Sequence, residues 1–170
     1  MTLDNTLIRT IADFPKPGIQ FKDITPLLKD PQGLKDCVAA MMPDTNKDID
    51  CVVGIESRGF IMGPLLAQQL GCGFVPIRKK GKLPHQTLEQ SYDLEYGSAT
   101  IEIHRDAISS GDRVLLHDDV LATGGTAEAA IRLIEALGGE VVLCSFIIEL
   151  TELSGRALIG DYPVKFAYRF

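Results

Sequence analysis

The run Val114-Leu115-Leu116-His117-Asp118-Asp119-Val120-Leu121-Ala122-Thr123-Gly124-Gly125-Thr126-Ala127 leaves this chain few folds to adopt. Its first half reads as a short apolar strand, bounded upstream by Gly111-Asp112 and ending in two adjacent acids. Its second half is a turn of small residues with two glycines, opening an Ala- and Glu-rich helix at about Thr126. That order of parts suits an α/β protein holding a phosphorylated sugar. Glycines let the backbone approach a ligand closely, and N–H groups at a helix start attract an anion with help from the helix dipole. Carboxylates at the strand end can accept hydrogen bonds from sugar hydroxyls beside that phosphate. A P-loop is excluded because no lysine follows these glycines, and a dinucleotide fingerprint because the turn has only an adjacent glycine pair. An ordinary strand–helix turn would explain the glycines, but not the acid pair with both threonines.

The same strand–turn–helix grammar recurs upstream. Cys51 to Ile55 predicts a buried strand, Glu56-Ser57-Arg58-Gly59-Phe60 a charged tip, and 61–70 a helix. An arginine at a helix start opposes the dipole, so Arg58 either serves an anionic ligand or pairs with Glu56. After the strand Phe74 to Ile77 comes Arg78-Lys79-Lys80-Gly81-Lys82, a basic cluster in a chain of net charge −6. Such a cluster is either a solvated run or an anion site. From Gly81 to about Ser98 the chain is polar, and 87–95 with 100–104 read as two arms of a hairpin. A connection this long is usually functional, and a flexible lid over about 81–104 is the first expectation. Val141 to Ile148 should lie centrally in the sheet, 153–159 in a short helical turn, and Val164 to Tyr168 at an edge. At the other end, Leu3, Leu7, Ile8 and Ile11 predict an amphipathic helix over 2–12. Two prolines and Gly18 break it, 19–24 reads as extended, and a helix over about 32–42 starts behind Asp30-Pro31.

Strands alternating with helices imply a single α/β domain over 1–170, with a mostly parallel twisted sheet and helices on both faces. Ligands then sit at the carboxyl ends of the strands, where both charged tips fall. The acidic balance disfavours a general nucleic-acid surface. No run of eighteen apolar residues occurs and the N-terminus lacks a signal peptide's apolar core, so a cytoplasmic protein is expected. The four cysteines, Cys37, Cys51, Cys72 and Cys144, show no metal or redox spacing and read as buried thiols. His117 reads as a neutral core histidine, since no ligand partners stand at suitable spacing.

The central run, with 13–24, 54–60, 78–84 and 91–97, resembles the type I phosphoribosyltransferases across nearly the whole chain, and among them the adenine-using members. The resemblance implies transfer of a 5-phosphoribosyl group from phosphoribosyl pyrophosphate to N9 of adenine, giving AMP and pyrophosphate, with Mg²⁺ on the activated sugar. It places the 5-phosphate on Ala122, Thr123, Gly124, Gly125 and Thr126, and the ribose hydroxyls on Asp118 and Asp119. Read without the family, one of those acids is a helix cap and the other solvated. It places pyrophosphate on Ser57, Arg58 and Lys82, with Arg78 reaching it from a neighbouring subunit of a homodimer. Adenine would lie between Phe21 and Val120, near Leu121, its edge read by backbone at Gln20 and Lys22. Phe21 taken alone is better explained as core, and Gln20 and Lys22 stand where some members carry valine and arginine. Glu95 would be the catalytic acid–base group on the lid and Tyr96 its packing neighbour. A sensor that binds the activated sugar without turnover would need a DNA-binding region, for which this chain has no room. The nearer rival is another purine base.

Overall fold

The computed structural model describes residues 3–44, 48–93 and 97–170, so Glu95 and Tyr96 lie outside the described residues. The chain divides into two compact units, Met1–Ala40 and Met41–Phe170. In the first, Asp4 caps a single 3-10 turn, Asn5–Leu7, by accepting the Thr6 N–H at 2.9 Å. The chain then turns extended: β1 (Arg9–Ala12) pairs antiparallel with β2 (Gln20–Asp23), Arg9 opposite Asp23 and Ile11 opposite Phe21. The helix expected over 2–12 is therefore absent. Its apolar spacing comes from a capped turn followed by a strand, and the Arg9–Asp23 ion pair at 2.5 Å holds that strand in register. Two short helices follow, α1 (Thr25–Lys29), which the sequence did not suggest, and α2 (Pro31–Met41). Asp30 accepts the Gly33 N–H at 2.6 Å and Pro31 occupies the first turn, so α2 starts where its sequence signals place it.

The second unit is built on a seven-stranded sheet. Its strands are β3 (Cys51–Ile55), β4 (Gly73–Lys79), β5 (Thr87–Asp93), β6 (Ser98–His104), β7 (Arg113–Leu121), β8 (Glu140–Glu149) and β9 (Val164–Arg169). Their spatial order is β5-β6-β4-β3-β7-β8-β9. Neighbours from β4 to β9 run parallel, and the β5–β6 hairpin joins antiparallel through β6 against β4. The segment read as a polar lid thus contains a sheet extension, with all seven residues of β5 paired to β6.

Helices α3 (Gly59–Leu70) and α4 (Gly125–Ala136) cover opposite faces. Alternation along β3 sends Val53 and Ile55 into the apolar cluster containing Ala130, Ile131 and Ile134 of α4. Gly54, between them, points the other way. A Cβ there would meet the Phe74 ring at 2.6 Å and the Gly59 carbonyl at 3.1 Å, so the missing side chain is what lets α3 lie close on β3. A short α5 (Gly155–Ile159) follows β8, and β9 closes the far edge as expected. Cys37, Cys51 and Cys144 are buried free thiols, whereas Cys72 is partly exposed, because it sits past the Gly71 helix stop.

Candidate active site

β3 and β7 stay paired only as far as Gly54 opposite His117. On their outer sides the ladders run on, to Ile55 opposite Ile77 and to Leu121 opposite Glu149. The two central strands therefore part where the acids begin, and their connections leave in opposite directions. That is the switch point at which open α/β sheets bind ligands.

Because β8 keeps pairing with it, β7 does not end at His117 but carries Asp118 and Asp119 in strand geometry on to Leu121. The acids take different neighbours. Asp119, 5% exposed, meets the Arg58 guanidinium, Nε to Oδ2 at 2.7 Å, across the gap between the strands. Asp118 accepts the N–H of Asp119 at 2.8 Å and lines a cavity of about 70 Å³ with residues 120–127. Burial raises the Asp118 pKa and the Asp119 carboxylate raises it further; burial also raises Asp119, and Arg58 opposes that rise. Neither acid caps α4, whose N-cap is Gly124.

Arg58 therefore does not pair with Glu56, the alternative open in the sequence. Glu56 is occupied by Arg78, with Nε at 3.1 Å and Nη2 at 3.2 Å from its two oxygens, and by the Lys79 N–H at 3.1 Å. The Arg78 guanidinium holds the Glu56 carboxyl below its ordinary pKa, so this is a true ion pair. Gly59, next to Arg58, passes the acids at close range: a Cβ there would lie 3.0 Å from the His117 carbonyl and 3.2 Å from Asp118 Oδ1. Ser57 is exposed on the same turn, and Lys82 sits just past β4.

Ala122, Thr123, Gly124, Gly125 and Thr126 carry the chain from β7 into α4. Gly124 has φ +92°, and no side chain caps the helix, so its first N–H groups face the cavity end with the dipole behind them. The loop rests on α5. A Cβ on Gly155 would run into the Ala122 carbonyl oxygen and come within 3.1 Å of the Gly124 nitrogen. α5 is itself pinned, since Arg156 donates to the buried Glu149 carboxylate at 2.6 Å and Arg169 to its other oxygen at 3.0 Å. Nothing in the sequence singled out Gly155 or Glu149: a glycine before a five-residue helix reads as turn chemistry, and the contact that matters is with residues thirty positions away.

β5 runs along α4, and the Tyr92 ring and Asp93 carbonyl each lie 3.5 Å from a Cβ placed on Gly125. The hairpin strand that precedes Glu95 thus ends beside the glycine loop. Val120 and Leu121 are on β7, with Val120 half-buried; Gln20, Phe21 and Lys22 belong to β2 of the first unit, where Phe21 meets Phe14 edge-on at 5.1 Å. His117 is fully buried with Nδ1 at 2.9 Å from the Ser145 carbonyl, and burial lowers its pKa to about 4. It is neutral, as its sequence position suggested. A larger cavity, about 460 Å³, opens at the amino ends of β8 and β9 beside the Lys165–Asp44 pair, away from every motif residue.

The phosphoribosyl transferase domain model matches residues 27–164. An adenine phosphoribosyltransferase of Christiangramia forsetii is 56% identical over 158 residues, 92% of each chain. The crystal structure of adenine phosphoribosyltransferase from Rhodothermus marinus is 60% identical with a TM-score of 0.92, covering 97% of this chain and 95% of that one. The Saccharomyces cerevisiae enzyme, solved with an imino-altritol bisphosphate and adenine, is 40% identical with a TM-score of 0.87, covering 94% and 93%.

Proposed function

The chain belongs to the phosphoribosyl transferase family, and we propose from that premise how the residues at its strand ends share one reaction. The reaction is transfer of the 5-phosphoribosyl group from phosphoribosyl pyrophosphate to adenine, giving AMP and pyrophosphate in purine salvage. The observation that carries the division of labour is the uncapped start of α4 behind Gly124, opening on the cavity that Asp118 lines. Amides of residues 123–126, with Ala122 and both threonine hydroxyls, cradle the 5-phosphate. Asp118 and Asp119 take the ribose hydroxyls.

As the C1–pyrophosphate bond stretches, positive charge grows on the ribose ring and negative charge on the leaving group. Fixed cations aimed at that group stabilise the separated charges more than the ground state. Arg58, Ser57 and Lys82 fill this role. Arg58 spans the crevice from Asp119, so one guanidinium lies between the sugar's acids and the leaving group. Arg78 joins them from a neighbouring subunit only by exchanging its Glu56 partner. A homodimer through α3, where Ile61 and Leu65 are exposed, fits that role, and sedimentation at assay concentration tests it.

The donor set suits Mg²⁺, which prefers oxygen ligands and retains waters. Among the described residues no cluster of three or more ligating side chains stands ready for a metal, so the ion would be held by the substrate and its own waters, with Asp118 and Asp119 reaching it through them. Bound there, the ion offsets charge on the pyrophosphate. Val120 packs on adenine at the end of β7, beside Leu121. The protein works in the cytoplasm, where buried thiols stay reduced.

Incubation with adenine, Mg²⁺ and phosphoribosyl pyrophosphate should yield AMP and pyrophosphate; binding without product would mean a sensor. In competition, adenine should outrun hypoxanthine, guanine and xanthine, and preference for a 6-oxopurine would overturn the base assignment. Glu95 acts as acid–base group at the base once the hairpin closes and excludes water. Glu95→Ala should lower kcat by about 10²-fold or more with KM for the sugar nearly unchanged. Equal losses in both would remove Glu95 from the chemistry.

A further inference from the structure

Lys82 is held by its backbone from both sides. Its N–H donates to Glu102 Oε1 at 2.8 Å, shared with the Lys79 carbonyl at 3.2 Å, and the next N–H, of Leu83, reaches the same carboxylate oxygen at 2.8 Å. Its carbonyl accepts from Arg78 Nη1 at 3.1 Å. Arg78 and Glu102 stand directly opposite one another on β4 and β6, so their side chains share a face and the 80–83 turn folds over the pair. Arg78 continues to Glu56, one residue before Ser57.

Glu102 is only 3% exposed. A carboxylate buried on a strand is costly unless its oxygens are satisfied, and salt bridges to side chains are the usual solution. Here backbone amides do most of it. Burial by itself would raise the pKa, but N–H groups of Leu83, Gly81 and Lys82 and the Thr87 hydroxyl outweigh it, and the group stays below its ordinary value. A full negative charge is thus spent on fixing residues 81–83, whose one long cation is Lys82; Lys80, just before them, is taken by Glu89 at 2.7 Å. A turn needing only to be closed could use a neutral acceptor.

We infer that Glu102 is a positioning residue for the leaving group: by gripping the Lys82 and Leu83 amides, it aims the Lys82 ammonium at the pyrophosphate. The inference rests on the pyrophosphate role proposed for Lys82. Glu102 touches no substrate. It acts through the two peptide units that flank Lys82, so its effect must vanish when the Lys82 side chain is removed.

The test is a double-mutant cycle read by calorimetric binding of phosphoribosyl pyrophosphate with Mg²⁺, with AMP as the ligand lacking pyrophosphate. Glu102→Gln keeps the shape and loses the charge. It should weaken phosphoribosyl pyrophosphate binding by about tenfold, leave AMP binding within about twofold, and speed amide exchange at Lys82 and Leu83. Glu102→Ala should do the same more strongly. On a Lys82→Ala background either change should alter affinity by less than about twofold. If the losses instead add, or AMP binding falls in parallel, Glu102 is a general structural group and the inference fails with the role of Lys82 intact. If Lys82→Ala alone binds the activated sugar normally, the pyrophosphate role of Lys82 fails, and the positioning inference with it. Should Glu102→Ala not fold, Glu102→Gln carries the cycle alone.

Discussion

Asp118→Asn should melt at a higher temperature than the parent near pH 8 while losing about 10²- to 10³-fold in kcat/KM for the activated sugar. Both effects come from one carboxyl. Burial, then the neighbouring Asp119 carboxylate, raises the Asp118 pKa well above 3.8 in the folded chain. A carboxyl raised on folding binds its proton more tightly in the native state, so its stabilising contribution is full below about 4 and disappears as pH climbs through the raised value. Above that raised value the native chain bears a desolvated charge beside another charge of the same sign. Asparagine removes that charge and keeps an oxygen for the Asp119 N–H now bonded at 2.8 Å. Thermal unfolding of both proteins from pH 4 to pH 8 should show the variant's advantage growing with pH. A gap that stays constant, or a parent more stable at pH 8, would show that no such strain exists. Asp119→Asn is the contrasting case, since it strips Arg58 of the carboxylate at 2.7 Å and should gain nothing. Strain of this kind belongs at a binding site, where sugar hydroxyls or a cation resolve it.

The sheet was legible because its signals are local. Apolar runs of four to eight residues, each closed by glycine or charge, marked β3 over its full length and β4, β7 and β8 with only their ends misplaced. The ends were missed for a tertiary reason: β7 runs past His117 because β8 offers it a partner as far as Glu149, and strand pairing outranks the polar sequence. The N-terminal helix failed on the opposite ground. Spacing of 4, 1 and 3 between apolar residues fits a helix, but the cross-strand partner of Arg9 lies fourteen residues on, outside any window that reads periodicity. The site shows the same division. Arg58, Asp118, Asp119 and the glycine loop were visible as motif residues, whereas their pairing was not. Arg58 chose Asp119 over its near neighbour Glu56, since Glu56 is taken by Arg78 from β4. Charges that act on a turn from outside it, as Glu102 does through backbone amides and Glu149 through Arg156, leave no motif at all.

Gly155→Ala puts the proposed phosphate cradle to its severest trial, because it changes none of the groups assigned to a ligand. Gly155 has no left-handed φ, so alanine there carries no conformational penalty; the damage is entirely one of contact. The new methyl would overlap the Ala122 carbonyl and press on the Gly124 nitrogen, backbone atoms that have no rotamer to swing aside. Either α5 lifts from the loop, against the Arg156–Glu149 bond, or the loop shifts and its amides lose their common aim. Overpacking of this kind costs about 1–3 kcal/mol in stability. The larger loss should fall on ligands that carry a 5-phosphate: AMP and phosphoribosyl pyrophosphate should bind about 10²-fold more weakly, since convergent donors misplaced by an ångström forfeit most of their effect. Adenine and free pyrophosphate should bind nearly as before. Gly124→Ala should be worse still, adding a φ of +92° to a methyl 2.5 Å from the Gly155 carbonyl. An alanine at 155 that left AMP affinity untouched in a folded protein would place the 5-phosphate somewhere other than the start of α4.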